Sequence, residues 1–160
     1  MRWFRFAALT LVITILQASL INSMLINPNL LVVLMVFFAI FAESKDAIIT
    51  SFSIGLAADL IGPGMGTLIL SFGLTGSLLA YLNRTVAIRK MTLQAVAIFV
   101  VSIAIAFAAH FLIMIKSQIT PENLYTSVIG PAVYSGIIGP FLFLPIAWLM
   151  KIKHHGFSGY

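Results

Sequence analysis

The chain has 160 residues, of which 61% are hydrophobic and 8% charged, and it contains no cysteine. A soluble domain carries about a quarter charged residues, so this composition cannot build a water-facing surface, and the chain reads as an integral membrane protein. Without cysteine, disulfides, thiolate nucleophiles and Cys-based metal sites are excluded, and the formal net charge of +5 is better explained by membrane orientation than by nucleic acid.

The length leaves room for about six spans of roughly 20 residues, forming one membrane domain over residues 1–160, and for no extramembrane core. Arg2 and Arg5 open the chain, and the first apolar run is Phe6–Ile26. At about 31 Å as a helix this run exceeds a signal-peptide core. Residues 22–28 offer no small-x-small cleavage site, so a retained span is expected. Asn27-Pro28-Asn29 ends it. The second span, Leu30–Ala42, is expected to end at Glu43-Ser44-Lys45-Asp46. The third, Ala47–Ile61, runs into a glycine turn, and the fourth, Thr67–Leu82, stops at Asn83-Arg84. The fifth is Met91–Ile115. The sixth, Leu124–Met150, is interrupted by Gly130-Pro131, Gly139-Pro140 and Pro145. Each proline removes a backbone donor and crowds the preceding turn, so kinks are expected there. Residues from His154 to Tyr160 read as a frayed cytoplasmic end.

The basic residues test this division. With the N-terminus inside, Arg2, Arg5, Lys45, Arg84, Arg89, Lys90, Lys151 and Lys153 fall on the inner side, and Lys116 alone falls outside. Cytoplasmic loops are enriched in Lys and Arg, so the split favours six spans with both termini in the cytoplasm. Spans two to four are short. They rise only roughly 20–24 Å against the ~30 Å hydrocarbon thickness, so their ends must be buried in protein or the bilayer must thin.

Asp59 is the one acidic side chain in this central apolar stretch, and it leads into Leu60-Ile61-Gly62-Pro63-Gly64-Met65-Gly66. An ionisable group at membrane depth is costly unless paired or hydrogen-bonded, and so it marks a functional or architectural site. It stands at a helix C-terminus, where negative charge is disfavoured. Backbone N–H groups of residues 61–66 could answer it by folding back as a nest, or Lys116 could approach from the next outer loop. Asp59 therefore either ties down the turn or serves a partner-binding or proton-linked role.

Around it, Ser51, Gly55 and Asp59 share a helix face, as do Thr67, Ser71 and Thr75 on the next helix, where Gly66, Gly73, Gly76 and Ser77 add small positions. Such spacing allows close helix approach, with hydroxyls free to bond across the contact; a polar ligand path is the other reading. Thr10, Thr14 and Gln17, with Asn22 a turn later, suggest an interhelical hydrogen-bond seam. His110 has no acidic or second histidine neighbour in its helix and reads as a packing residue rather than a ligand. His154-His155 is a weak metal motif. Ser51, Ser71, Ser77 and Ser135 lack any flanking motif for an intramembrane protease. The glycine turn lacks the Lys-Ser/Thr of a nucleotide loop. No catalytic residue, cofactor or metal is expected.

The run from Ser51 to Gly66 resembles the rod shape-determining protein MreD family, whose signature is Gly-Leu-x-x-Asp-Leu, a turn closing on glycine, and a small-residue helix. Gly55, Leu56, Asp59, Leu60, Gly62, Gly64 and Gly66 stand at or within that motif, and Tyr81-Leu82-Asn83-Arg84 resembles the family's close of the next helix. The resemblance implies an all-α, six-span, non-enzymatic scaffold of the bacterial cytoplasmic membrane. It implies association with MreC, a single-span protein with a periplasmic domain. Through it would come the link between MreB filaments and the peptidoglycan synthases RodA and the class B penicillin-binding protein, with membrane lipids around the bundle. It also implies a fold like the substrate-binding components of energy-coupling-factor vitamin transporters. Such a component is the alternative function; its cavity would draw on Asn27, Asn29, Lys116, Gln118, Glu122, Asn123 and Tyr125. A lipid-handling role built on the short middle spans is a third reading.

Overall fold

The computed structural model describes residues 3–21, 29–62, 66–86, 91–117 and 129–150. They form six α-helices: α1 (Trp3–Ile21), α2 (Leu30–Phe41), α3 (Ser44–Ile61), α4 (Thr67–Val86), α5 (Met91–Ser117) and α6 (Gly130–Met150). No strand occurs among the described residues.

The bundle is organised around α2. Every residue from Leu31 to Ala39 is buried, so the helix has no outward face. A helix apolar on all sides must be enclosed, and α2 packs against α1, α3, α4, α5 and α6. Its 12 residues rise only about 18 Å, well short of a bilayer core. Its shortness is resolved by protein on all sides. At its C-terminal end Phe37 and Phe38 anchor neighbouring helices: Phe38 meets Phe6 of α1 edge-on at 5.0 Å, and Phe37 meets Phe143 of α6 at 5.3 Å.

The outer surface is as apolar as the interior. Leu11 and Ile15 on α1, Leu74 on α4, Phe107 and Phe111 on α5, and Phe141 and Trp148 on α6 all stand exposed. Meanwhile Thr50, Ser51, Ser71 and Ser135 are buried. Large apolar side chains exposed on α1, α4, α5 and α6 suit a lipid solvent. Two stretches, Thr92–Leu112 and Gly130–Leu149, are long and apolar enough to cross a membrane by themselves.

Several boundaries differ from those expected. Ser44, Lys45 and Asp46 belong to α3 rather than to a loop, with Glu43 at the N-cap position. Asp46 in the first turn meets the positive end of the helix dipole, which favours helix there. Asn83-Arg84 does not end α4, which continues to Val86. The Asn83 side chain spends its amide on another helix, donating to the Ile40 carbonyl at 2.8 Å near the C-terminus of α2. Gly130-Pro131 stands at the start of α6, directly after Ile129 in a π-helical turn, and proline in the first turn of a helix loses no bond. Beyond it the helix is continuous through Pro140 and Pro145, because packing neighbours in a bundle tolerate the freed carbonyls. Residues 22–26 of the expected first span, 124–128 of the sixth and the tail from 151 to 160, with His154-His155, lie outside the described residues.

Candidate functional site

The site is built at the α3–α4 corner. Asp59 lies in the last turn of α3, half-buried, and its carboxylate accepts three backbone N–H groups across the turn. Oδ2 accepts from Gly66 at 3.1 Å and from Ile69 at 2.9 Å, and Oδ1 accepts from Leu68 at 3.0 Å. The donors are the orphan amides of the first turn of α4. Asp59 thus caps the helix that follows it, seven to ten residues downstream. The carboxylate is poorly placed for its own helix but well placed for the next dipole, and the second contact is direct. Gly66 falls within the stretch 61–66 where a nest is expected, whereas the donors Leu68 and Ile69 lie beyond it. Gly64 and the rest of 63–65 lie outside the described residues, as does the Lys116 side chain. Gly66 has φ 88°, a conformation that a Cβ disfavours, and this aims its N–H back at Asp59.

Below the corner the two helices close on each other. A Cβ at Gly55 would sit 2.8 Å from the Ile69 Cα, so backbone meets backbone there. A Cβ at Gly76 would collide with the Ser51 side chain and lie 2.8 Å from the Met35 sulfur. One at Gly73 would enter the Phe52 ring, and one at Gly62 would lie 2.9 Å from Leu68 Cδ1. These contacts leave no width for a ligand between α3 and α4 at those levels. Nor do the Ser51, Ser71 and Thr75 hydroxyls donate across the seam. Ser51 donates to the Ala47 carbonyl at 2.7 Å, Ser71 to Thr67 at 2.8 Å, and Thr75 to Ser71, each within its own helix. Their role is to be small and self-satisfied in an apolar contact. Thr67, Ser71, Gly73 and Gly76 are all buried. Leu56 and Leu60, by contrast, point outward, Leu60 being 80% exposed. The motif therefore has an inner side that locks two helices and an outer side of two leucines.

A second polar cluster was not legible as a unit. The N-terminus of α2 is capped by three elements at once: Gln17 Oε1 of α1 accepts from Leu30 N at 2.8 Å, Ser135 Oγ of α6 accepts from Asn29 N at 2.7 Å, and Asn29 Oδ1 accepts from Val32 N at 3.3 Å. Gln17 had a signal, as a polar residue on an apolar helix, but Thr14 bonds the Thr10 carbonyl of its own helix. Ser135 had none beyond being a serine. Asn29, one of the outer polar residues a ligand cavity would need, is thus committed to α2. Gln17→Leu should leave the Leu30 amide without its acceptor. That costs about 1–3 kcal/mol, read as a lowered thermal midpoint in detergent; an unchanged midpoint would show that the cap adds nothing.

His110 lies half-buried on α5, with Nδ1 3.1 Å from the Ala106 carbonyl of its own helix.

The sequence model described as "MreD: rod shape-determining protein MreD" matches residues 1–153 of the chain. The chain belongs to the MreD family. MreD is a membrane family concerned with rod shape, in keeping with a helical bundle whose surface is apolar. No curated protein and no solved structure matches the chain. Within the matched residues the Asp59 corner has a defined geometry: one carboxylate, three amides, and a glycine seam beneath them.

Proposed function

We propose that this protein is a non-enzymatic scaffold of the rod complex in the bacterial cytoplasmic membrane. It crosses the bilayer six times with both termini inside, in an arrangement like the substrate-binding components of energy-coupling-factor transporters. Its partner is an MreC-like single-span protein, and through that partner it meets RodA, the class B penicillin-binding protein and MreB. The family match over residues 1–153 carries the reading. The physical support is that the described surface is helical and apolar, so partners are met mainly through lipid-facing helix surfaces. The α3–α4 lock supports it further, because a scaffold needs a rigid surface rather than a cavity. On this reading the Asp59 motif is architectural, and Leu56 and Leu60 are its outward contacts.

Affinity purification of the tagged protein from native membranes in mild detergent tests the proposal. The expected result is recovery of a single-span coiled-coil protein with a periplasmic domain, and rounding of rod-shaped cells on depletion. Recovery of a transmembrane coupling subunit with paired ATPases would replace the scaffold by a transporter's binding component.

A further inference from the structure

Exposed aromatic residues mark one end of the bundle. Trp3 on α1, Tyr81 on α4 and Trp148 on α6 all stand exposed, as does Lys45 in the first turn of α3. The four share an end, because Phe6 meets Phe38, Phe143 meets Phe37 and Asn83 bonds Ile40, all toward the C-terminus of α2, and α3 follows α2 directly. Tryptophan, tyrosine and lysine anchor helices where hydrocarbon gives way to headgroups.

From that end the walls of the bundle reach different heights. On α3 the rise from Lys45 to Asp59 is about 21 Å, and on α4 the rise from Tyr81 back to Gly66 is about 22 Å. Between these limits both helices expose apolar side chains, Ile49 and Leu56 on α3 and Leu70, Leu74 and Leu78 on α4. The far limit is polar. It holds the half-buried Asp59 carboxylate, and the bond from the Gly66 amide is exposed. Gly62 and Gly66 there lie outside both helices. On α5, the helix that follows α4, exposed apolar side chains run from Leu93 to Ile115, a rise of about 33 Å. Tilt lowers each height and raises none.

A hydrocarbon core of ~30 Å set at the aromatic end would match α5 but submerge the Asp59 corner by about 8 Å. Non-helical backbone facing lipid and a charged carboxylate are both costly there. Sliding the bundle to free the corner would draw Lys45 and the aromatics into hydrocarbon instead. The corner cannot lengthen either, because α3 and α4 meet backbone to backbone at Gly55. The bilayer is the component that yields at modest cost.

We propose that the α3–α4 wall holds the bilayer thin, drawing the leaflet at the Asp59 end down by about 8 Å. Headgroups then meet the corner, while the leaflet along α5 keeps its full height. The inference rests on the membrane crossings proposed above and adds the lipid structure that the bundle imposes.

Single spin labels test it, since the chain has no cysteine of its own. The sites are Leu70→Cys, Leu74→Cys and Ala104→Cys, all at exposed positions. Close contacts put Gly76, Ser51 and Met35 at one level, and Gly139, Ile98 and Val33 at another. Counted from the first level, Leu70 lies about 9 Å and Ala104 about 12 Å toward the Asp59 end. In dioleoylphosphatidylcholine liposomes, a bilayer of even height would make Ala104 the shallower site. Thinning inverts the order: the Leu70 label should meet a water-soluble nickel chelate several-fold more often than the Ala104 label, with the Leu74 label deep. In thin dilauroylphosphatidylcholine bilayers the Ala104 label should become accessible and the Leu70 label should change little. An Ala104 label as accessible as Leu70 in the thicker lipid, or equal changes at both sites between lipids, would overturn the proposal and leave the crossings standing. A water-exposed Leu74 label would remove the α4 crossing and the proposal with it.

Discussion

Asp59→Leu should prevent stable assembly of the bundle, whereas Asp59→Asn should assemble with a lowered thermal midpoint. The carboxylate accepts from the Gly66, Leu68 and Ile69 amides with both of its oxygens. Leucine fills much the same volume but accepts nothing. Three amides at the start of α4 would then lose their partner, two of the bonds being partly buried. Each partly buried orphan costs about 1–3 kcal/mol, and the Gly66 bond, which is exposed, costs less because water replaces it. The total, about 2–6 kcal/mol, is a large share of a domain's usual stability.

Asparagine keeps one acceptor oxygen and turns the other position into a donor. Rotated to serve Gly66 and Ile69 through Oδ1, it abandons Leu68 and presents an N–H to it. It also loses the charge that answers the α4 dipole, a contribution of about 0.3–1 kcal/mol at an exposed site. The expected order of thermal midpoints is wild type, then Asn, then Leu. Size-exclusion profiles in detergent should show the Leu variant aggregated or absent. If Asn and Leu melt together at the wild-type temperature, the corner does not hold α4. A role for Asp59 in binding a partner or moving a proton would be visible instead as normal melting of the Asn variant with lost partner recovery or rounded cells.

The sequence made some of this legible. Asp59 stood out because charge is rare in an apolar stretch, and the glycines beside it marked a turn. The pattern could not say which amides it would reach. That depends on where α4 begins, and three of the turn residues carry no side chain that would set it. The small positions of α3 and α4 were readable from their spacing. Their spacing left the hydroxyls free to bond across the seam, yet those of Ser51 and Ser71 donate to carbonyls four residues back in their own helices, a local bond always within reach on a helix. The helix ends were read from charges and breakers, and they failed where a polar residue had work elsewhere. Asn83 looked like a stop and is a tether for α2; Pro140 and Pro145, where kinks are expected, lie within a continuous helix. The enclosure of α2 had a signal in the unbroken apolar run Leu30–Phe41. An outer span and an inner one look alike by hydropathy, because lipid and protein interior are equally apolar.

Gly55→Ala and Gly76→Ala should both destabilise the α3–α4 pair, and only the second should be rescued by a partner substitution. At Gly55 the added methyl meets the Ile69 Cα at 2.8 Å and the Ile69 carbonyl oxygen at 3.1 Å. No change of side chain can move those atoms, so the helices must part, and overpacking of this kind costs about 1–3 kcal/mol. Parting them also lengthens the Asp59 bonds one turn away, which pushes the cost toward the upper figure. At Gly76 the obstruction is the Ser51 side chain, with its Cβ 2.6 Å from the new methyl and the Met35 sulfur at 2.8 Å. Ser51 is fully buried and cannot swing into solvent. Removing its side chain in Ser51→Gly opens the space, and the Met35 thioether is flexible enough to yield. The double variant Ser51→Gly, Gly76→Ala should therefore melt above the sum of its single effects, with a coupling of about 0.5–3 kcal/mol. Gly55→Ala combined with Ser51→Gly should show little coupling, because the two act on different atoms. Additive behaviour in the Gly76 cycle would mean that the helices are held apart at that level and that the glycines serve only the turn above.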